Sequence, residues 1–368
     1  GVGKTRFAQA LFEEASAEHS LDATLAVYTD ISFEPIPSPQ ALLDELLANN
    51  RRAILIVDNC SSELHRFLTE KCKNSNMVSL LTIEYDIRED IPDETYVFRM
   101  EPASSELISK VIKQHFPNIS QVDASTITHF AEGNSRVAIA LASTLGKGDS
   151  LAGIKNDELF RRLFWQKNDE NQSLLRAARA CALIYSFDGV DENTELPRLA
   201  AIAGMGVLEI YREINTLLKR GLAQKRGVWR AILPHAVANT LAKQALADTP
   251  YPLIAKQFVD GNGRLLRSFS RRLGYLHDSP DAVEIVGNWL SEDGILGDIT
   301  QLGDSCEILR NVAPVDPKAV LEAIERAANG ERSEQFLSIN NYTRTTIARL
   351  LRSIAWDAKY FERCMAIL

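Results

Sequence analysis

Ala53-Ile-Leu-Ile-Val-Asp58 decides how the first part of this chain is read. A short, unbroken apolar run rich in β-branched residues is the pattern of a strand buried on both faces. It closes on Asp58, a carboxylate at the carboxyl end of the strand, where α/β sheets place their ligands. Further strand-like runs stand on either side of it: Thr24 to Ile31 (TLAVYTDI), Val78 to Ile83 (VSLLTI), read as another buried strand, and Tyr96 to Met100. Between them lie helical patterns at Gln40 to Ala48 and Leu64 to Cys72, the first entered through a turn holding Pro35, Pro37 and Pro39. Lys4 to Ala17 also has helical spacing, with Phe7, Ala10, Leu11 and Ala15 as its apolar positions. Strands alternating with helices predict a parallel α/β sheet.

The chain opens with Gly1-Val-Gly-Lys-Thr5, the second half of the phosphate-loop pattern G-x-x-x-x-G-K-[ST]. Such a loop turns backbone N–H groups at a helix N-terminus toward phosphate oxygens, and its glycines let the backbone approach them. Lys4 would neutralise β/γ charge, and Thr5 would place its hydroxyl on Mg²⁺. Asp58 would set a carboxylate beside the same metal, although a strand-end aspartate also occurs as an ordinary turn residue. Asn59 follows, where many ATPases carry a carboxylate that polarises water. An amide cannot accept that proton, so Asn59 predicts slow hydrolysis or a role limited to positioning the water. Thr82, ending the third strand, is a candidate γ-phosphate contact or a structural strand terminus. The loop's first half and the strand feeding it would lie upstream of Gly1, and Leu368 falls inside an apolar helical pattern. The chain therefore reads as an excerpt of a longer protein.

From about Glu101 the strands stop. Ser104 to His115, Asp123 to Glu132 and Arg136 to Leu145 read as helices, followed by Gly146, Gly148 and Gly153 as a linker. Leu174 to Tyr185, Leu196 to Ala203 and Val207 to Leu218 are helical patterns. A hairpin around Arg226 and Gly227 and a closing helix from His235 to Ala247 complete the order of a winged helix. Beyond Pro250 the chain reads as all-helical. There, LRNVAPVDPK from Leu309 resembles LRSIAWDAK from Leu351, about 42 residues on. That spacing suits stacked helical pairs; the alternative is two similar amphipathic helices by chance. The expected division is 1–100 (nucleotide-binding α/β), 101–155 (helical lid), 156–249 (winged helix) and 250–368 (helical repeats).

With 368 residues, 45% hydrophobic and 24% charged, the composition is that of a packed, soluble multidomain chain. A net charge of −8 argues against a protein built mainly to wrap nucleic acid. Its five cysteines are scattered without zinc spacing, which fits a reducing compartment. No apolar run reaches the roughly 18 residues of a membrane span.

These motifs, in this order, resemble the STAND class of signal-transducing P-loop ATPases: GVGKT, AILIVDN, VSLLT, a helical lid, a winged helix and helical repeats. The repeat part is most similar to that of the bacterial antiviral members called Avs. The resemblance implies an ATP/ADP and Mg²⁺ site formed by Gly1, Val2, Gly3, Lys4, Thr5 and Arg6, with Thr5 and Asp58 on the metal and Asp58, Asn59 and Thr82 around the γ-phosphate. It implies that Gly133, Asn134 and Ser135 stand where the lid usually carries G-x-P near the adenine, serine replacing proline. It also implies that His235 matches the histidine that holds the β-phosphate of ADP, without that motif's methionine and aspartate. A lone histidine near a helix start is otherwise a packing or capping residue.

The function so implied is a cytoplasmic ATPase switch in antiviral innate immunity. A protein trigger, such as a phage protein, would bind the repeats, and self-oligomerisation would activate an upstream effector. A second reading is a DNA-binding regulator using the basic residues Lys219, Arg220, Lys225, Arg226 and Arg230, whose plainer interpretation is a solvated hairpin face.

Overall fold

The computed structural model of the chain describes residues 3–14, 20–31, 35–83, 95–98, 100–146, 149–165, 172–191, 193–260, 263–302, 305–338 and 342–368. It divides into two compact units, 1–163 and 164–368.

The first unit begins with helix α1 (Lys4–Ala10), strand β1 (Ala26–Asp30), α2 (Pro39–Ala48), β2 (Ala53–Asp58), α3 (Ser62–Cys72) and β3 (Val78–Ile83). The strands pair in parallel in the order β1-β2-β3, with Asp30 opposite Asp58 and Val57 opposite Thr82. Alternation along each strand then decides which side chains share a face. Leu55 and Val57 point into a core with Leu43 and Leu46 of α2, Leu68 of α3 and Val78. Leu43, Leu55 and Leu68 are fully buried, each stabilising the unit by about 1.5–3 kcal/mol. The other face carries Tyr28, Asp30 and Asp58. Ser38 and Ser61 cap α2 and α3 by accepting from the N–H groups of Ala41 and Leu64, and Pro39 occupies the first turn of α2, where no N–H is needed.

Three local expectations change. The first helix stops at Ala10 because the N–H groups of Phe12 and Glu13 turn tightly onto Gln9 and Ala10, and Leu21 N–H bonds back to the Leu11 carbonyl. Residues 15–19, the end of the longer expected helix, lie outside the described residues. β3 is buried only at Val78, exposed at Ser79 and half-buried from Leu80 to Ile83, since among the described residues β2 is its partner and no strand pairs with its other edge. No strand forms among the described residues of 95–100, where Tyr96 and Phe98 are exposed.

The helices α4 (Ser105–His115), α5 (Gln121–Ala131), α6 (Ser135–Ala142) and α7 (Asn156–Arg162) complete the unit. Asp123 braces them: its carboxylate accepts from the Ser120 hydroxyl at 2.6 Å, the Ser150 hydroxyl at 3.0 Å and the Leu151 N–H at 2.7 Å. Burial opposes its charge, yet these donors, with Arg162 beyond them, hold its pKa below the ordinary aspartate value.

The second unit opens with α8 (Ser173–Ala182), β4 (Phe187–Asp188), α9 (Leu196–Ala203), α10 (Val207–Lys219), β5 (Ala223–Arg226), β6 (Trp229–Ile232) and α11 (His235–Asp248). The expected hairpin is present, and the short β4 adds to it in the antiparallel order β4-β6-β5. The remainder is helical: α12 (Tyr251–Phe258), α13 (Gly263–Leu273), α14 (Pro280–Leu290), α15 (Cys306–Val312), α16 (Pro317–Asn329), α17 (Ser333–Leu337), α18 (Tyr342–Ile354) and α19 (Ala358–Ile367). Arg264 of α13 joins the two parts. It grips the buried Glu195 carboxylate with Nε and, at 2.6 Å, with Nη2, and its guanidinium lies 4.5 Å from the Trp229 ring centre.

The two similar sequence stretches occupy equivalent places. Leu309 and Val312 of α15 are buried like Leu351 and Ile354 of α18. Asp316 and Asp357 cap the helices that follow, accepting from Ala319 N–H and Lys359 N–H. Arg363 of α19 forks onto Glu325 of α16 at 2.8 and 2.6 Å. The chain is thus a parallel three-stranded sheet with helices, followed by a small antiparallel sheet among helices and an all-helical region.

Candidate functional site

Gly3 precedes α1 with φ 90°, a left-handed conformation that glycine adopts at no steric cost. This starts the helix at Lys4 and leaves Thr5 on its first turn; Gly1 and Val2 lie outside the described residues. The Thr5 hydroxyl donates to Asp58 Oδ2 at 2.8 Å, joining residues 53 positions apart in sequence. The structure thus brings together the two residues expected to share a metal. Arg6 points elsewhere, forking onto Glu13 at 2.6 and 2.7 Å on the surface.

Asp58 is 4% exposed and well supplied with donors. Besides Thr5, the Tyr28 hydroxyl donates to Oδ2 at 2.8 Å and the Asn59 N–H to Oδ1 at 2.9 Å. Asn59 has φ 55°, and its Nδ2 donates to Asp30 Oδ1 at 2.9 Å. Tyr28 and Asp30 are absent from the sequence-based set. The one signal that could have found them is the alternation in Tyr28-Thr-Asp30, which puts both on one face once the strand's partner is known.

Thr82 is not brought to this group. Opposite Val57 in register, it points to the other face of the sheet, where its hydroxyl lies 2.8 Å from His65 Nδ1 of α3. His65 Nε2 is 3.3 Å from the Thr69 hydroxyl and 3.4 Å from that of Thr95. Burial, then the neighbouring Arg66, lowers the His65 pKa below its ordinary value, so the ring is neutral at pH 7.

Between α5 and α6, Gly133 has φ 78°, and its carbonyl accepts from Ala103 N–H at 3.2 Å. A Cβ here would sit 2.5 Å from Pro102 Cβ and 2.7 Å from the Ala103 oxygen, so close packing requires glycine. Asn134 caps α6, its Oδ1 accepting from Arg136 and Val137 N–H, and Ser135 is the first residue of that helix.

His235 belongs to the second unit and opens α11. Its ring stacks on Tyr185 at 5.2 Å, with Tyr275 at 6.1 Å, and the Arg271 guanidinium lies 3.9 Å from the Tyr185 ring centre. The basic cluster proposed for DNA is thinned by the fold. Arg230 is 4% exposed, donates to the Gly227 and Trp229 carbonyls, and fits only because Gly189 has no side chain there. Arg220 donates to the Trp165 carbonyl at 2.9 Å, while Lys219 and Lys225 are exposed.

Among the described residues, no helix is long and apolar enough to cross a membrane. No protein-family model matches the chain, and no curated protein matches it. A solved structure similar to it is that of a Signal Transduction ATPase with Numerous Domains (STAND) protein with a tetratricopeptide repeat sensor, from Pyrococcus horikoshii. The two are 11% identical with a TM-score of 0.40, over all of this chain and 59% of that one. The chain thus spans 59% of that neighbour's length. At that score the likeness adds no weight to the site.

Proposed function

We propose that the chain is the nucleotide-dependent switch of a STAND-type sensor, binding ATP or ADP with Mg²⁺ through Gly3, Lys4, Thr5 and Asp58. What supports this reading most is the 2.8 Å contact between the Thr5 hydroxyl and Asp58, made at the carboxyl end of a central parallel strand. A hydroxyl and a carboxylate held this way are oxygen ligands of the kind Mg²⁺ takes together with nucleotide phosphates. Lys4, which precedes Thr5 on the first turn of α1, is the phosphate-neutralising cation in this reading. Asn59 is a hydrogen-bonding group rather than a base, which favours slow hydrolysis and suits a switch.

The helices and hairpin of 173–248 serve as its winged helix, and the helical pairs beyond 250 as a sensor for a protein trigger. Trigger binding favours the ATP-bound state, self-association and activation of an effector in cytoplasmic antiviral defence. Only a difference in nucleotide affinity between two states can drive such a transition.

Titration with a fluorescent ATP analogue, with and without Mg²⁺, tests the site. The unaltered chain should bind, and Lys4→Ala should bind at least tenfold more weakly, a loss of about 1.4 kcal/mol or more. No binding by the unaltered chain, or undiminished binding by Lys4→Ala at unchanged thermal stability, overturns the reading.

A further inference from the structure

We infer that Asp30 is a positioning residue of this site: its carboxylate fixes the side-chain amide of Asn59, so that β1 as well as β2 shapes the group beside Asp58. The inference rests on the nucleotide reading above.

Asp30 and Asp58 end adjacent parallel strands as register partners, 6% and 4% exposed, with side chains on the same face. Asn59 follows Asp58 in the left-handed region, which asparagine tolerates better than most residues. Its backbone N–H goes to Asp58 and its Nδ2 to Asp30, both at 2.9 Å. An ionised carboxylate only accepts hydrogen bonds. The amide therefore has one orientation, Nδ2 toward Asp30 and Oδ1 away from it. Asn59 is held as an oriented acceptor next to the metal-binding carboxylate, able to align a water but unable to take its proton.

The same contact accounts for the amide at position 59. A carboxylate there would stand 2.9 Å from the Asp30 carboxylate, and two such groups in a buried site do not both ionise without large cost. Asp30 and Asn59 form one acid–amide unit, in which the acid sits on β1 and the amide after β2. The two are exchangeable only together.

The test measures ATP binding, ATP hydrolysis and thermal unfolding for the unaltered chain, Asp30→Ala, Asn59→Asp and the exchange Asp30→Asn with Asn59→Asp. Misplacing an aligned group costs rate rather than affinity, so Asp30→Ala should lower kcat by about tenfold or more while ATP affinity stays within about twofold. Asn59→Asp should lose rate similarly through carboxylate repulsion. The exchange re-forms an amide–carboxylate hydrogen bond with donor and acceptor reversed. It should recover at least the original rate.

An Asp30→Ala variant that loses stability and affinity together, with kcat per bound nucleotide intact, makes Asp30 a brace of the fold and overturns the inference. So does an exchange no faster than Asn59→Asp alone. Normal nucleotide binding with kcat indifferent to Asp30 sinks the positioning role and leaves the nucleotide reading standing. Absence of nucleotide binding by the unaltered chain removes both.

Discussion

Asp58 and Gly133 show how differently a residue picked out by sequence pattern can behave in the fold. Asp58 is where the apolar run of β2 promised a carboxylate, and its neighbours add donors from Thr5, Tyr28 and Asn59. The resemblance places Gly133 near adenine, yet its immediate task is steric: φ 78°, with the Pro102 ring and the Ala103 backbone against its missing side chain. Replacing it by alanine imposes a left-handed residue and a backbone clash together. Gly133→Ala should therefore destabilise the protein by roughly 2–4 kcal/mol, measured by denaturant unfolding. An effect under about 0.5 kcal/mol, the usual range of a neutral surface change, would refute that packing role.

At the scale of elements, α5 and the segment leading into α7 hang on one buried carboxylate. Asp123 has a folded-state pKa below its unfolded value, because hydrogen bonds outweigh the burial that opposes its charge. Its stabilisation is therefore fully present above the unfolded pKa of about 3.9 and is lost as pH falls through the lower folded value. Asp123→Ala should cost about 1–3 kcal/mol at pH 7 by leaving the Leu151 N–H and two hydroxyls without their acceptor. The variant should also lose part of the stability change between pH 5 and pH 2. Thermal unfolding across that range checks both, and an unchanged acid profile would count against the brace. In the second unit, Arg264 and Glu195 play a comparable part between the hairpin and α13. This geometry is invisible to local pattern because it joins positions 69 residues apart.

At the scale of the molecule, each unit has its own apolar interior: Leu55 and Val57 with α2 and α3 in the first, and fully buried Phe187, Phe258 and Phe269 in the second. A fragment of residues 164–368 should accordingly fold alone, with helical circular dichroism and a cooperative thermal transition. A gradual, non-cooperative melt would show that its core needs residues of the first unit.

Much of this was legible in sequence because it is local. Apolar runs bounded by turns fixed β1, β2 and β3 to within a residue or two, and Leu309 and Leu351 announced equivalent helical pairs. What escaped depends on pairing between distant segments. Only the register of β1 on β2 sets Asp30 beside Asp58 and Tyr28 within reach of it, and only the register of β3 turns Thr82 to the opposite face, onto His65. Arg230, charged and thus expected at the surface, is buried because a distant Gly189 leaves room for its stem and nearby carbonyls accept its protons. Local periodicity and turn chemistry determined which elements form. Their tertiary pairing decided which polar groups meet, since a hydrogen bond requires the placement of both partners and a sequence pattern specifies the neighbourhood of only one.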